Sequence, residues 1–101
     1  MNTARFNTTF WDVDWLTQGR RQLFISLEDR KAVEVLFCTV AKLDQLVPHQ
    51  VEVRGDHLHA LIESPAELDG PQVQDLLLKV KAAVERAILS RRPEITQVWD
   101  S

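Results

Sequence analysis

Apolar and acidic side chains alternate near the start of the chain, over residues 10–16. The apolar positions are Trp11, Val13 and Trp15, and the acidic positions between them are Asp12 and Asp14. A period of two predicts a half-buried β-strand. Because two buried carboxylates would be costly, we expect the tryptophan face to lie against the core.

Two later segments carry apolar residues at spacings of three and four, which predicts amphipathic helices. The first follows Ser26, a residue type that caps helices. Its apolar positions are Val33, Leu36, Phe37, Val40, Leu43 and Leu46. The second begins near Pro71, a favourable first helical residue, and is stopped by Pro93. Its apolar positions are Val73, Leu76, Leu77, Val80, Val84, Ala87 and Ile88.

A hairpin is predicted between the helices, with strands at 51–54 and 57–63 and a tight turn at Gly55 and Asp56. A short last strand is predicted at 95–99. The order strand, helix, strand, strand, helix, strand is typical of the ferredoxin-like arrangement. We therefore expect an α+β fold, with a four-stranded antiparallel sheet and two helices on one face, in a single domain over residues 1–101.

Two histidines stand out on the second strand of this hairpin. Its apolar face is Leu58, Ala60 and Ile62, and its other face includes His57 and His59. If the apolar face packs under the helices, both imidazoles project from the uncovered face, with Cα atoms about 7 Å apart. Two imidazoles so placed could converge on one metal ion or one phosphate oxygen. The simpler alternative is that His57 and His59 are two polar residues that fill solvent-facing positions of the strand.

Composition narrows the possible functions. With 15 acidic and 12 basic residues, the formal net charge is −3, which excludes a generally basic coat for nucleic acid. The single cysteine, Cys38, excludes an internal disulfide and a cysteine zinc cluster. No apolar run approaches the roughly 18 residues of a membrane span, and the first residues lack a signal-peptide pattern. We therefore expect a cytoplasmic protein.

The segment VEVRGDHLHALIESP, residues 51–65, resembles the signature strand pair of the HUH single-strand tyrosine transposases, the small transposases of insertion sequences and their REP-associated relatives. That family has a Pro-Asp-His-hydrophobic-His-hydrophobic-hydrophobic run, and here Gly55 replaces the proline. The segment WLTQGRRQLF, residues 15–24, is similar to the end of the family's first strand, with Gln18 in place of a lysine. Val80 and Lys81 match a Leu-Lys pair that the family often has.

The resemblance implies cleavage and rejoining of single-stranded DNA. His57 and His59 would hold a divalent ion, Mg²⁺ or Mn²⁺, that polarises the scissile phosphate for attack by a tyrosine. The family usually takes a third metal ligand from its tyrosine-bearing helix. Strand geometry makes Asp12 or Asp14 a candidate for that third ligand here, since the first strand neighbours the histidine strand in such a sheet. Ordinary surface carboxylates remain the alternative for both.

Nucleic acid would be bound through lysine and arginine contacts to phosphate. The candidates follow the first strand or lie on the second helix, and they are Arg20, Arg21, Lys79, Lys81 and Arg86, with Arg91 and Arg92 beyond. A solvated helix face is the alternative for the helical ones. The three tryptophans could stack on bases, but Trp11 and Trp15 lie on the predicted core face.

The chain contains no tyrosine, so we expect no covalent phosphotyrosine link. It would be either a truncated transposase that keeps the metal-binding half, or a stand-alone descendant that binds without cutting. Two functions follow as hypotheses. One is a transposase-like DNA-transaction domain that binds single-stranded DNA. The other is a non-enzymatic ferredoxin-like module for oligomerisation or ligand binding. A homodimer is expected, because exposed sheet edges need covering.

Overall fold

A computed structural model describes residues 8–100 of the chain. Its three strands are β1 (Thr8–Leu16), β2 (Val47–Val53) and β3 (His57–Pro65). Its two α-helices are α1 (Leu27–Leu43) and α2 (Gly70–Arg91), and a short 3₁₀ turn, Gln18–Arg20, follows β1. The strands form one antiparallel sheet in the order β1-β3-β2. The α+β class predicted from the sequence is confirmed.

The core lies between one face of the sheet and both helices. Trp15 of β1 packs edge-on against Phe37 of α1, with ring centroids 5.3 Å apart, and lies 5.4 Å from the Trp99 ring. The fully buried core residues include Leu58, Ala60, Ile62, Val80 and Val84. Trp15 and Val13 are therefore on the core face, as the alternation in β1 predicts. The opposite face of the sheet is left uncovered by α1 and α2.

α1 begins directly after Ser26, the predicted cap, and α2 begins at Gly70, one residue before the predicted Pro71. The Ser26 side chain accepts a hydrogen bond from the Asp29 backbone N–H at 3.0 Å, which satisfies a free donor in the first turn of α1. Asp69 and Gln72 form a reciprocal capping box at the start of α2, with Pro71 in its first turn. Neither helix has the length and hydropathy needed to cross a bilayer.

The predicted fourth strand is reduced, within residues 8–100, to an isolated bridge between Trp99 and Thr17. The Asp100 N–H donates to the Leu16 carbonyl at 2.8 Å, so this segment lies beside the end of β1. The Val98 N–H, which a longer ladder would direct to β1, donates instead to a carboxylate oxygen of Glu85, and the Trp99 N–H donates to the same oxygen. The sheet therefore has three strands rather than the four expected.

The end of α1 also differs from the prediction. The helix stops at Leu43, which is 78% exposed, although the apolar spacing extended to Leu46. Gln45 then adopts a left-handed φ of 67°, and this turn brings Leu46 into the core. β2 begins directly afterwards, with a bulge between Pro48 and Gln50.

A segment without predicted structure joins β1 to α1. Its residues Leu23 and Phe24 are buried, and both of their N–H groups donate to the Gly55 carbonyl, at 2.8 and 3.1 Å. The spacing of apolar residues does not reveal this contact, because the segment is neither a helix nor a strand. These bonds hold the chain after β1 against the turn between β2 and β3.

Candidate functional site

The uncovered face of the sheet carries both histidines of the His-x-His pair. Leu58 and Ala60 are fully buried, and the alternation along β3 turns His57 and His59 to the other side. The His57 side chain is 28% exposed and the His59 side chain 51% exposed. The prediction that both rings emerge from the uncovered face agrees with the structure.

The His57 ring is oriented by its neighbour in sequence. Its Nδ1 atom lies 2.8 Å from Oδ1 of Asp56. An ionised carboxylate only accepts hydrogen bonds, so this contact favours the tautomer with its hydrogen on Nδ1. In the neutral ring, Nε2 then carries the free lone pair, which is the form that can bind a metal ion.

Asp56 is itself held by Arg20, which lies 36 residues earlier. The Arg20 Nε and Nη2 atoms both donate to Oδ2 of Asp56, at 3.1 and 2.9 Å. The hydrogen bond from His57 is the main cause that lowers the pKa of Asp56 below its ordinary value, and Arg20 adds to it. Arg20, predicted as a phosphate contact, is thus engaged in an ion pair, although its side chain remains 57% exposed.

The 3₁₀ turn places Arg20 beside Asp56. Gly19 and Arg20 both have left-handed backbones, with φ of 63° and 57°, a conformation that costs energy for arginine. The fully buried Thr17 donates its N–H to the Asp56 carbonyl at 2.9 Å and its hydroxyl to the Arg21 carbonyl at 2.7 Å. The two segments on which the sequence resemblance depends are therefore in direct contact.

The His59 ring has a looser environment. Its Nε2 atom lies 3.7 Å from Oδ1 of Asp12, beyond hydrogen-bond distance. Asp14 of β1 and Glu52 of β2 are its direct cross-strand partners. An imidazole is thus flanked by carboxylates from both neighbouring strands.

Glu52 was not among the sequence candidates. A hydrogen bond from Arg54, at 2.8 Å, is the largest cause that lowers the pKa of Glu52. The sequence did carry a signal for this residue. Val51 and Val53 alternate with it on β2, which turns Glu52 to the uncovered face.

The donor atoms around the histidines do not yet form a closed coordination shell. Among residues 8–100, no group of three or more His, Cys, Asp or Glu side chains is close enough together to be a metal-binding cluster. The donors available on the uncovered face are nevertheless imidazole and carboxylate, which suit a transition-metal ion such as Mn²⁺. Side-chain rotation of His59 and Asp12, both largely exposed, would be needed to bring them together.

The basic candidates lie elsewhere on the surface. α2 packs against the covered face of the sheet, so Lys79, Lys81 and Arg86 are not on the histidine face. Lys81 donates to the Asp100 carbonyl at 3.1 Å and, with Asp12 and Asp14, lines a recess of about 250 Å³ between α2 and β1.

Arg21 also turns away from the histidines. It donates to the carbonyls of Gln18 and Gln97, at 3.3 and 3.2 Å. Its exposed guanidinium therefore links the turn after β1 to the C-terminal segment. Of the basic side chains predicted to contact nucleic acid, Arg20 therefore lies beside Asp56 and His57, whereas Arg21 does not.

The tryptophans are packed in the protein rather than presented to a ligand. Trp15 and Trp99 are 8% and 3% exposed. Trp11 is half-buried, and its Nε1 donates to the Ser64 hydroxyl at 2.8 Å. The expectation that Trp11 and Trp15 serve packing agrees with these positions, and burial removes Trp99 as a surface for base stacking as well.

A third histidine lies at the far end of the uncovered face. His49, which lies outside the strand predicted at 51–54, belongs to β2, and its Nε2 is 2.6 Å from Oε1 of Glu63. The exposed Phe10 ring lies 5.4 Å from the His49 ring, between centroids. This group is separated from His59 by Leu61 along β3, so it is distinct from the His-x-His pair.

Comparison with known proteins bears on the fold. No protein-family model matches the chain, and no curated protein matches its sequence. Among solved structures, the fold is similar to that of a "putative transposase" from Deinococcus radiodurans R1, with a TM-score of 0.83. The match covers 99% of this chain and 78% of that chain at 18% sequence identity. The chain therefore has a transposase-like fold.

Proposed function

We propose that this protein is a transposase-like DNA-transaction domain that binds single-stranded DNA through a divalent metal ion held by His57 and His59. The observation that carries the proposal is the contact between the two segments that resemble the HUH transposases. Through Thr17, Arg20 and Asp56, that contact reaches the His57 ring. The similarity to a protein described as a "putative transposase" supports it independently.

The donor set favours Mn²⁺ over Mg²⁺. Imidazole suits the first-row transition metals, whereas Mg²⁺ prefers oxygen ligands and keeps several waters. Nε2 of His57, the His59 ring and a carboxylate of Asp12 are the proposed ligands, and Asp14 is the alternative carboxylate. A bound ion would polarise a phosphate oxygen and neutralise part of its charge.

The charge of the uncovered face also favours a metal-mediated mode. Asp12 and Asp14 lie beside His59, and their carboxylates would repel a DNA phosphate that approached directly, whereas the Glu52 charge is paired with Arg54. A divalent cation between them and the phosphate reverses that repulsion. Direct binding of phosphate by the two imidazoles is therefore the less favourable form of the proposal.

The proposed action is binding without covalent cleavage by these residues, because the sequence contains no tyrosine nucleophile. Arg21, Lys79, Lys81 and Arg86 are proposed contacts for DNA backbone that extends beyond the metal. Such a protein would act in the cytoplasm.

The order β1-β3-β2, with the Trp99 segment beside β1, supports the ferredoxin-like arrangement that we propose for the sheet.

The second part of the proposal is a homodimer joined through sheet edges. The same dimer would also fit the alternative function, a ferredoxin-like module for oligomerisation. Within residues 8–100, hydrogen bonds on the outer side of β1 are confined to its end near Leu16. The β2 edge is less suited to pairing, because Pro48 lacks an N–H and a bulge follows it. Pairing of β1 with a second copy would cover the open edge.

The function is tested by binding of a fluorescent single-stranded hairpin oligonucleotide with and without Mn²⁺. We expect Mn²⁺-dependent binding that weakens steeply with salt, as phosphate contacts require. The double substitution His57→Ala and His59→Ala should abolish the Mn²⁺-dependent part. His49→Ala is the matched control, since it removes a histidine from the same face but not from the proposed site.

Three results would contradict the proposal. Absence of binding at low salt would favour the alternative, a ferredoxin-like module for oligomerisation or ligand binding. If DNA binding is equally strong without Mn²⁺ and unchanged in the double variant, neither the metal ion nor the two histidines contribute to DNA binding. A covalent adduct with DNA would show that another residue acts as nucleophile.

A further inference from the structure

Three groups on the uncovered face form a chain of hydrogen bonds that ends at a proposed metal ligand. Arg20 donates twice to Oδ2 of Asp56, and Oδ1 of the same carboxylate lies 2.8 Å from Nδ1 of His57. Both carboxylate oxygens are therefore used, one for each partner. His59 has no such partner within hydrogen-bond distance among residues 8–100.

We propose that Asp56 is a positioning residue, braced by Arg20, that fixes His57 with its hydrogen on Nδ1 and thereby presents Nε2 to the metal ion. This inference rests on the proposed function, because it deepens the description of the same site. Metal-binding histidines commonly donate their second ring N–H to a carboxylate or carbonyl, which sets the tautomer and the ring orientation.

The surroundings restrain Asp56 as such a role requires. Its side chain is 18% exposed, and its carbonyl accepts the Thr17 N–H at 2.9 Å. The Gly55 carbonyl accepts two further N–H groups, from Leu23 and Phe24. The peptide that carries Asp56 is thus tied to the segment after β1. Rotation of the carboxylate is opposed by Arg20, whose left-handed backbone is held in the same turn.

The inference changes the role of Arg20. As a phosphate contact, Arg20 would act directly on DNA and contribute to the salt dependence of binding. As a brace, it acts through Asp56 on the histidine. Replacing it would then lower metal affinity in the absence of any DNA, whereas loss of a positive charge that acted only on phosphate would raise metal affinity slightly.

The test begins with the metal-free wild-type protein. Long-range ¹H–¹⁵N NMR of the neutral rings distinguishes a hydrogen on Nδ1 from one on Nε2. We expect His57 to carry it on Nδ1, and the more exposed His59 to show a mixture. A His57 ring with its hydrogen mainly on Nε2 overturns the inference, whatever the variants do.

The second measurement is Mn²⁺ affinity of the variants, by calorimetry. Asp56→Asn should shift the His57 tautomer and lower the affinity by roughly 10–100-fold, the usual effect of losing an outer-shell partner. Arg20→Gln keeps the carboxylate, so its effect should be smaller and in the same direction. Asp56→Asn with wild-type tautomer and affinity overturns the inference.

Glu94→Gln is the matched control. Glu94 is also paired with an arginine, Arg92, at 3.0 Å, and its pKa is also lowered, chiefly by a backbone hydrogen bond. It contacts neither histidine, so the affinity should stay within about twofold of wild type. If wild-type protein takes up no Mn²⁺, the proposed function fails, whereas the tautomer measurement still decides the assignment of Asp56.

Discussion

His57 and His59 are two residues apart on one strand and share one face of the sheet, yet their rings are held differently. His57 is 28% exposed and bonded to Asp56, which Arg20 braces from another part of the chain. His59 is 51% exposed, and its nearest charged atom is an Asp12 oxygen at 3.7 Å. We therefore expect the His57 ring to be preorganised for the metal ion and the His59 ring to adjust its position when the ion binds.

The largest expected effects come from removing either ring. His57→Ala or His59→Ala should each lower Mn²⁺ affinity by more than the roughly 10–100-fold of an outer-shell partner, because a direct ligand is lost. The free energy of unfolding should distinguish the two variants. His59→Ala should change the free energy of unfolding by less than about 0.5 kcal/mol, as for most exposed positions. His57→Ala should cost more, since Asp56 loses its partner.

Calorimetry with Mn²⁺ and urea denaturation check these two expectations. His49→Ala should match wild type in Mn²⁺ affinity. Retention of full affinity by either His57→Ala or His59→Ala would remove that ring from the site.

Thr17→Val tests the support beneath His57. The valine keeps the volume of a fully buried side chain but removes the hydroxyl that donates to the Arg21 carbonyl. The Arg21 carbonyl keeps its bond from the Leu23 N–H at 3.0 Å, so the loss should be that of one ordinary hydrogen bond, roughly 0.5–1.5 kcal/mol, which urea denaturation would measure. The NMR signals of His57 should shift more than those of His59. An equal shift of both rings would mean that the turn does not act on His57 selectively.

Asp12→Asn tests the looser half of the site. We expect Mn²⁺ affinity to fall by a few fold to about tenfold, and the His57 tautomer to stay unchanged. Asp14→Asn is the matched control, because it removes the same charge from the same strand and the same face. A larger loss from Asp14→Asn would assign Asp14 as the third ligand.

The smallest expected effect is on acid stability. Because the pKa of Asp56 is lowered, the folded state binds a proton less readily there than the unfolded chain does. The stabilisation of the folded state by the ionised Asp56 is therefore complete above the ordinary aspartate pKa of about 3.9. It is lost as the pH falls through the lower pKa that Asp56 has in the folded state.

Thermal unfolding should then show wild type to be more stable than Asp56→Asn at about pH 5, with the difference shrinking below about pH 4. Since the pair is partly exposed, salt should reduce this difference. A difference that persists unchanged in strong acid would show that the carboxylate charge is not its cause.

Much of the site's position follows from local sequence. The alternation over residues 57–63 correctly separates Leu58 from the two histidines, because a strand turns successive side chains to opposite faces. Ser26 and Asp69 mark the helix starts for a similarly local reason, since each caps a donor three residues ahead.

The contacts that orient the site could not be predicted in this way. Arg20 and Asp56 are 36 residues apart, and nothing in the pattern of either segment signals that they pair. Leu23 and Phe24 were missed because they are buried without a helical or strand period. Leu46 was assigned to α1 because its spacing fits the helix, although a left-handed Gln45 places it after the helix end.

The sequence by itself determined the α+β class and which face of β3 carries His57 and His59, because both follow from short-range periodicity. Only the tertiary structure decided how the His57 ring is turned, since that depends on Asp56 and Arg20 meeting across the sheet edge. The tertiary structure also determined that the strand predicted at 95–99 is reduced to a single bridge. Glu85 of α2 accepts the Val98 N–H, which a longer ladder with β1 would otherwise have used.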